Sequence, residues 1–304
     1  MRLVFAGTPA AAVPSLERLD ATHEVTLVIT RPDAPTGRRR LPTPSPVSLR
    51  ARELGLPVLP AARLDTVASA AIRAAQPDLG VVVAYGGLVP SELLGVPPHG
   101  WINLHFSLLP RWRGAAPVQH AIIAGDTVTG ASVFRLVPEW DAGDVYAAVE
   151  RPIRPNATAG DVIADLSEVG AELLTDVVDA IASGAAQAEP QSGPITFAPK
   201  LTPDDARIRW DRDADAVVAR IRGVTPEPGA YTTVAGTRLK LLQAGKSSAG
   251  PLPPGRLVPA DGGVLAGTAT SPVLLQRVQP AGRGAMSASD WWRGVRAVGP
   301  VAAE

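Results

Sequence analysis

The chain has 304 residues, of which 46% are apolar and 19% charged. Such values suit a chain that buries a full core and argue against disorder over most of its length, and the length favours two domains. The absence of cysteine excludes a disulfide framework, a thiolate nucleophile and a cysteine-held zinc or iron–sulfur centre. Twenty-nine Lys and Arg balance 29 Asp and Glu, which argues against a general nucleic-acid coat. The balance is uneven along the chain: residues 1–200 carry 16 basic and 20 acidic side chains, residues 201–304 carry 13 and 9. The C-terminal part is therefore the part that can favour polyanions. No apolar run approaches the ~18 residues of a membrane span. Met1-Arg2-Leu3-Val4-Phe5 turns at once into Gly7-Thr8-Pro9, a first strand rather than a signal peptide, so a cytoplasmic protein is expected.

In chain order, Leu3 to Ala6 is a short apolar run stopped by Gly7, and Ala10 to Leu19 has helical spacing. Val25 to Ile29 reads as a second buried strand, residues 57–59 as a short apolar stretch, and Val67 to Ala75 as a helix. Between them, the loop from Arg31 to Pro46 carries five prolines and the run Arg38-Arg39-Arg40, a composition that predicts neither helix nor ladder. The continuous apolar run within Asp78 to Ala84 is typical of a strand covered on both faces. Trp101 to Ser107 reads as another strand, and Ala115 to Ala124 as a helix with Pro117 in its first turn and Gly125 after its end. Val133 to Val137 and Val145 to Val149 read as strands, Ala159 to Ala182 as one long helix. This alternation predicts an open, mostly parallel α/β sheet. Residues 184–200, rich in Pro, Gly, Ala and Gln, are the expected linker between a first domain over 1–183 and a second over 201–304. Past them, Asp213 to Ile221 reads as a helix, and short strands at close spacing predict a small β-barrel.

Ala6-Gly7-Thr8-Pro9 stands where a dinucleotide fingerprint would be, yet only one glycine is present, and no Walker-type motif occurs. Hydride transfer and ATP use lose most of their support. The informative stretch is Gly100-Trp101-Ile102-Asn103-Leu104-His105-Phe106-Ser107-Leu108-Leu109-Pro110. On a strand, Asn103, His105 and Ser107 share one face. An amide there can donate to a developing oxyanion, and an imidazole can donate to it or move a proton. The competing reading is a histidine with a purely structural role. Asp141 lies in Pro138-Glu139-Trp140-Asp141-Ala142-Gly143-Asp144, after a strand ending near Val137, where an acidic loop belongs at a ligand crevice and can orient His105 or hold a water. His23, His99 and His120 are assigned structural places, and no spacing suggests a metal.

Asn103-Leu104-His105, Ser107 to Pro117 and Asp141-Ala142-Gly143-Asp144 together resemble the folate-dependent formyltransferases, and among them those that act on methionyl-tRNA. Phe5 to Pro9, Thr30 to Asp33, Gly37-Arg38, Ala198 to Thr202, Arg207 to Trp210, Pro228 to Tyr231 and Gln279 to Gly282 extend the likeness over essentially the whole chain. The resemblance implies a Rossmann-like formyltransferase domain and a C-terminal barrel of the oligonucleotide-binding kind. It implies 10-formyltetrahydrofolate as formyl donor and the methionine amine of initiator tRNA as acceptor, with Asn103, His105 and Asp141 as the catalytic trio. Ser107, Leu108, Leu109 and Pro110 match the family's tetrahydrofolate segment, and Tyr85, Gly86, Gly87, Leu88 and Val89 are expected as a further pocket wall. Arg38 matches the family's key arginine for the tRNA acceptor end, with Arg39 and Arg40 beside it; Arg207, Arg209 and Lys240 are further tRNA candidates. Trp291-Trp292 reads as the packing face of a terminal helix or as a stacking platform. Two other outcomes fit parts of the pattern: a formyltransferase for a small amine such as glycinamide ribonucleotide or an amino-sugar nucleotide, and an inactive tRNA-binding homologue. No obligate protein partner is evident.

Overall fold

The computed structural model describes residues 1–36, 41–295 and 300–304. They fall into two compact units: residues 1–117, 129–151 and 163–197 form the first, and 118–128, 152–162 and 198–304 the second.

The strands β1 (Arg2–Gly7), β2 (Glu24–Thr30), β3 (Ala34–Thr36), β4 (Leu41–Thr43), β5 (Val58–Pro60), β6 (Leu79–Val83), β7 (Trp101–His105), β8 (Val128–Arg135) and β9 (Val145–Pro152) come first. Seven form one Rossmann-like sheet in the order β5-β2-β1-β6-β7-β8-β9. From β5 to β7 every pairing is parallel; β8 runs antiparallel to β7. Helices α1 (Val13–Thr22), α2 (Pro46–Glu53), α3 (Thr66–Ala74), α4 (Ser91–Leu94), α5 (Pro117–Ile123) and α6 (Ala159–Ala182) accompany them. All five residues of β6 are buried, as a strand covered on both faces must be. The chain leaves β1 towards β2 and β5, then returns to β6 on the other side of β1. That reversal opens a crevice at the carboxyl ends of β1 and β6. Gly7 closes β1 tightly: a Cβ there would lie 2.8 Å from Phe5 Cε1 and 3.0 Å from the Val83 carbonyl.

Two sequence expectations need correction here. The segment read as one helix from Ala10 begins with a short 3-10 turn, Ala10–Ala12, before α1. The proline-rich loop also contains a ladder after all, because β3 and β4 pair antiparallel with Pro35 directly opposite Pro42. Antiparallel partners alternate between pairs that exchange N–H bonds and pairs that do not. Two prolines facing each other occupy a pair that needs no donors, so their missing N–H groups cost nothing.

In the second unit, α7 (Ala214–Gly223) is followed by β10 (Tyr231–Val234), β11 (Thr237–Lys246), β12 (Leu257–Ala260), β13 (Gly263–Ala266), β14 (Val273–Pro280), β15 (Met286–Ser287) and α8 (Ala288–Arg293). The strands form a curled antiparallel sheet, β10-β11-β14-β13-β12, with β15 on β14. Its two edges meet the same short segment, since Ala303 bridges Val234 and Ala302 bridges Arg256. Ile208, Trp210, Val217, Ile221, Leu239, Leu241, Leu257 and Leu275 fill the core. Trp291 and Trp292 pack partly buried against it, edge to face, the packing alternative of the two expected for them. Among the described residues no helix is long and apolar enough to cross a membrane.

One packing contact in the first unit positions everything that follows. Trp101, fully buried, donates its indole N–H to the Leu93 carbonyl at 2.8 Å. Its ring lies over Gly80, its partner in the β6–β7 register, so close that a Cβ on Gly80 would penetrate it. This fixes the start of β7, and through it the positions of Asn103 and His105. Gly80→Ala should lower stability by about 3 kcal/mol, the upper part of the overpacking range, because the tethered ring cannot swing away. Urea unfolding monitored by tryptophan fluorescence measures this, and an unchanged midpoint would remove the anchoring role of Trp101.

Candidate active site

β7 places Asn103 and His105 on one face, as alternation requires. Their neighbours are Val82 on β6 and Phe134 and Ser132 on β8. His105 is only 6% exposed, with its ring edge-on to Phe134 at 6.3 Å. Its Nε2 lies 2.9 Å from the Trp112 carbonyl. A carbonyl can only accept, so Nε2 carries the proton, and in the neutral ring the lone pair sits on Nδ1. Nδ1 faces Asp141, whose Oδ2 is 4.0 Å away. That is too long for a direct hydrogen bond. The Asp141 carboxylate takes one instead from the Gly114 N–H at 2.7 Å. Asn103 Oδ1 is buried without any partner in the protein. An orphaned buried acceptor costs about 1–3 kcal/mol, and this one lies on the face that carries His105.

The trio expected from the sequence is thus gathered in the first unit, and both loops that complete it hold uncommon backbone. Trp112 has φ +60° and Asp141 φ +46°. Aspartate tolerates the left-handed region, whereas a bulky residue such as tryptophan does so at a cost of about 1–2 kcal/mol. The cost at Trp112 is offset by what its peptide groups do: the carbonyl meets His105, and the N–H donates to Thr196 Oγ1 at 2.9 Å. Gly143 presses against β8 so closely that a Cβ would collide with the Arg135 carbonyl, so only glycine lets the Asp141 loop lie this flat.

The segment after β7 is tied down by hydroxyl groups. Ser132 Oγ, on β8, donates to the Ser107 carbonyl at 2.7 Å and accepts from the Leu109 N–H at 3.3 Å. Ser107 Oγ donates to the Arg111 carbonyl at 2.6 Å. Ser107 therefore does not continue the Asn103–His105 face as expected: β7 ends at His105, and the Ser107 hydroxyl caps the turn. Leu108 is half-buried above Gly130, where a Cβ would come within 2.5 Å of its Cδ2. Leu109 is half-buried and Pro110 buried.

Tyr85 departs from the expected pocket wall. Its ring is 1% exposed within the core cluster, and its hydroxyl donates to the Ala61 carbonyl at 2.7 Å. Burial holds the phenol above its ordinary pKa. What Tyr85 offers the crevice is its backbone, whose carbonyl accepts from Thr8 Oγ1 at 2.9 Å. Gly86 and Leu88 are exposed, Gly87 and Val89 half-buried. Arg31 reaches this turn, donating from Nη1 to the Gly86 carbonyl at 2.8 Å.

Arg38, Arg39 and Arg40 lie outside the described residues. In the second unit, Arg207 bridges Tyr231, which pairs with Lys240, so the three occupy one rung of the sheet. Arg207, Arg209 and Lys240 are exposed, and the Arg238 guanidinium stacks 3.6 Å from the Tyr231 ring centre. Arg209 also approaches Asp211 at 3.6 Å. Of the other histidines, the His23 side chain meets Asp179 and His120 Nε2 bonds the Pro199 carbonyl, while His99 is exposed and bonds the Asp78 carbonyl through its backbone N–H. Among the described residues no group of three or more His, Asp and Glu is placed to hold a metal ion. Two contributors lacked a sequence signal: Gln191 and Thr196, both within the stretch read as linker, are hydrogen-bonded into the first unit beside Asp141 and Trp112.

An amide and an imidazole on a Rossmann-like sheet, facing a carboxylate loop, are a layout suited to acyl-group transfer. The chain belongs to the formyl transferase family: residues 1–178 match the model described as formyl transferase, and residues 200–296 match the formyl transferase C-terminal domain. Relatives named methionyl-tRNA formyltransferase are 59% identical over 297 residues in Clavibacter sepedonicus and 58% identical over 294 residues in Leifsonia xyli. Each covers 97% of this chain and 97% of the relative. Among solved structures, an N-formyltransferase from Helicobacter canadensis in complex with folinic acid and dTDP-3-aminofucose has the same fold. Its TM-score is 0.69 at 16% identity, over 90% of this chain and 98% of that one. A methionyl-tRNA formyltransferase from Clostridium thermocellum has TM-score 0.58 at 14% identity, over 93% and 100%.

Ser132→Ala takes the hydroxyl partner from the buried Ser107 carbonyl and from the part-buried Leu109 N–H. It should lower stability by about 1–3 kcal/mol and speed amide exchange at Leu109 while leaving β7 protected. Exchange read by mass spectrometry decides this, and unchanged protection at Leu109 would show that Ser132 does not hold the turn.

Proposed function

We propose that this chain transfers the formyl group of 10-formyltetrahydrofolate to the α-amino group of methionine on initiator tRNA, in the cytoplasm, for translation initiation. The observation that carries this reading is the pairing of a half-buried Asn103, whose Oδ1 has no partner in the protein, with an imidazole whose free nitrogen faces Asp141. The curated relatives at 58–59% identity support the choice of acceptor. Residues 1–183 would do the chemistry and residues 201–304 would hold tRNA; of the stretch 184–200 between them, residues 189–196 are hydrogen-bonded into the first unit.

The folate co-substrate would supply an activated formyl group. Asn103 would present its amide N–H to the formyl oxygen, where charge develops as the amine attacks. Two routes for the amine proton were open from sequence, and the geometry favours one. With Nε2 committed to Trp112, the imidazole has Nδ1 left to accept that proton. Asp141 Oδ2 lies 4.0 Å from Nδ1, so a single amine nitrogen can reach both, and the carboxylate would steady the ring once it is charged. The proton must finally reach the departing folate nitrogen as its bond to the formyl carbon breaks. The turn of Ser107, Leu108, Leu109 and Pro110 would present apolar side chains and backbone groups to the pterin, and residues 85–89 would line the same crevice with backbone. Arg207, Arg209 and Lys240 would contact tRNA phosphates; Arg38, Arg39 and Arg40 are assigned the acceptor end from the family resemblance.

A formyl-transfer assay with charged initiator tRNA, run beside glycinamide ribonucleotide and an amino-sugar nucleotide, separates this function from its alternatives. Formyl-methionyl-tRNA is the expected product; formylation of a small amine alone, or of nothing, would overturn the reading. Within that assay Asn103→Ala should lose on the order of 10²–10³-fold in kcat, the usual cost of one oxyanion donor. His105→Ala should nearly abolish turnover with tetrahydrofolate binding retained. Unfolding of that variant would instead mark His105 as structural.

A further inference from the structure

Gln191 closes a ring of hydrogen bonds around the candidate site. Its Nε2 donates to two carbonyls of the acidic loop, Asp141 and Gly143, both at 2.8 Å. Its Oε1 accepts from Arg113 Nη2 at 2.7 Å and Nε at 3.2 Å. All four hydrogen-bonding positions of the amide are filled. Its orientation is chemically determined as well, since the guanidinium only donates and the carbonyls only accept. The residue after Arg113 completes the circuit: the Gly114 N–H binds the Asp141 carboxylate at 2.7 Å.

The same short segment reaches the other half of the site. Glu189 exchanges two backbone bonds with Val145, just past the acidic loop. Thr196 accepts the Trp112 N–H on its hydroxyl and the Arg113 N–H on its carbonyl. Residues 189–196 thus hold the Asp141 loop at one end and the peptide facing His105 at the other. Without the amide, the left-handed backbone of Asp141 loses the donor that satisfies its carbonyl.

We infer that Gln191 is a positioning residue for formyl transfer, acting through Asp141 by locking the carboxylate loop to Arg113. The inference rests on the proposed function for its kinetic part. Two substitutions test it. Gln191→Leu removes every bond of the amide. Gln191→Glu keeps size and the Arg113 contact but sets a second acceptor against two carbonyls. Both should lower kcat for methionyl-tRNA formylation roughly ten- to a hundredfold, the range for displacement of a catalytic group by about 1 Å, with KM for the folate donor unchanged. In an Asp141→Ala background, Gln191→Leu should cost nothing more, because its effect passes through the missing carboxylate.

Amide exchange across residues 138–144 should rise in both variants while β7 stays protected. The exchange measurement needs no activity. If wild-type protein formylates no tRNA, the functional reading fails, and exchange alone decides the positioning claim. The inference is overturned if exchange in 138–144 is unchanged, if kcat stays within twofold of wild type, or if the loss is the same with and without Asp141. Equal losses in kcat and donor affinity would also overturn it, as the mark of a general structural defect.

Discussion

The site depends on a hydrogen bond between His105 Nε2 and the carbonyl of Trp112. An imidazole has two nitrogens, and which one is available to a substrate follows from what the other already binds. Here the protein occupies Nε2, so the neutral ring offers Nδ1 towards Asp141. A purely structural histidine would be expected to satisfy both nitrogens. This one leaves its second nitrogen 4.0 Å from a carboxylate, beyond direct bonding distance.

That arrangement requires support from several distant parts of the sequence. Trp101 over Gly80 sets the start of β7, and hence the height of the imidazole. Thr196 binds the Trp112 N–H and holds its peptide in a left-handed conformation that aims the carbonyl inward. Gly143 and Gln191 set the acidic loop. Each contact is worth about a kilocalorie or a few. Their joint effect is geometric: they keep reacting groups within the narrow tolerances that transfer chemistry demands.

Much of this was legible in the sequence. The buried run of β6 and the two-residue alternation that puts Asn103 and His105 together are local signals, as is the long helix α6, and each survived tertiary context. The helix α2 was missed although Ser45 followed by Pro46 is a start signal, and the Ser45 hydroxyl does cap it through the Ser48 N–H. The β3–β4 ladder was missed because counting prolines ignores their register. The inward turn of the Tyr85 ring was not legible, because the sequence does not say which way a residue turns once its strand has ended. Gln191 and Thr196 carried no signal at all. They sit in a stretch whose composition says only that it is neither helix nor strand, and their roles arise from contacts with residues 48 to 84 positions away.

The central claim concerns one proton on one ring, and nitrogen-15 NMR of the histidine side chains in the folded, ligand-free protein reads it directly. At a pH where His105 is neutral, its Nε2 should show the shift of a protonated nitrogen and its Nδ1 that of a bare one, with coupling to a single ring tautomer. The opposite tautomer, or an average of the two, would mean that Trp112 does not set the imidazole and that the site is organised by some other contact.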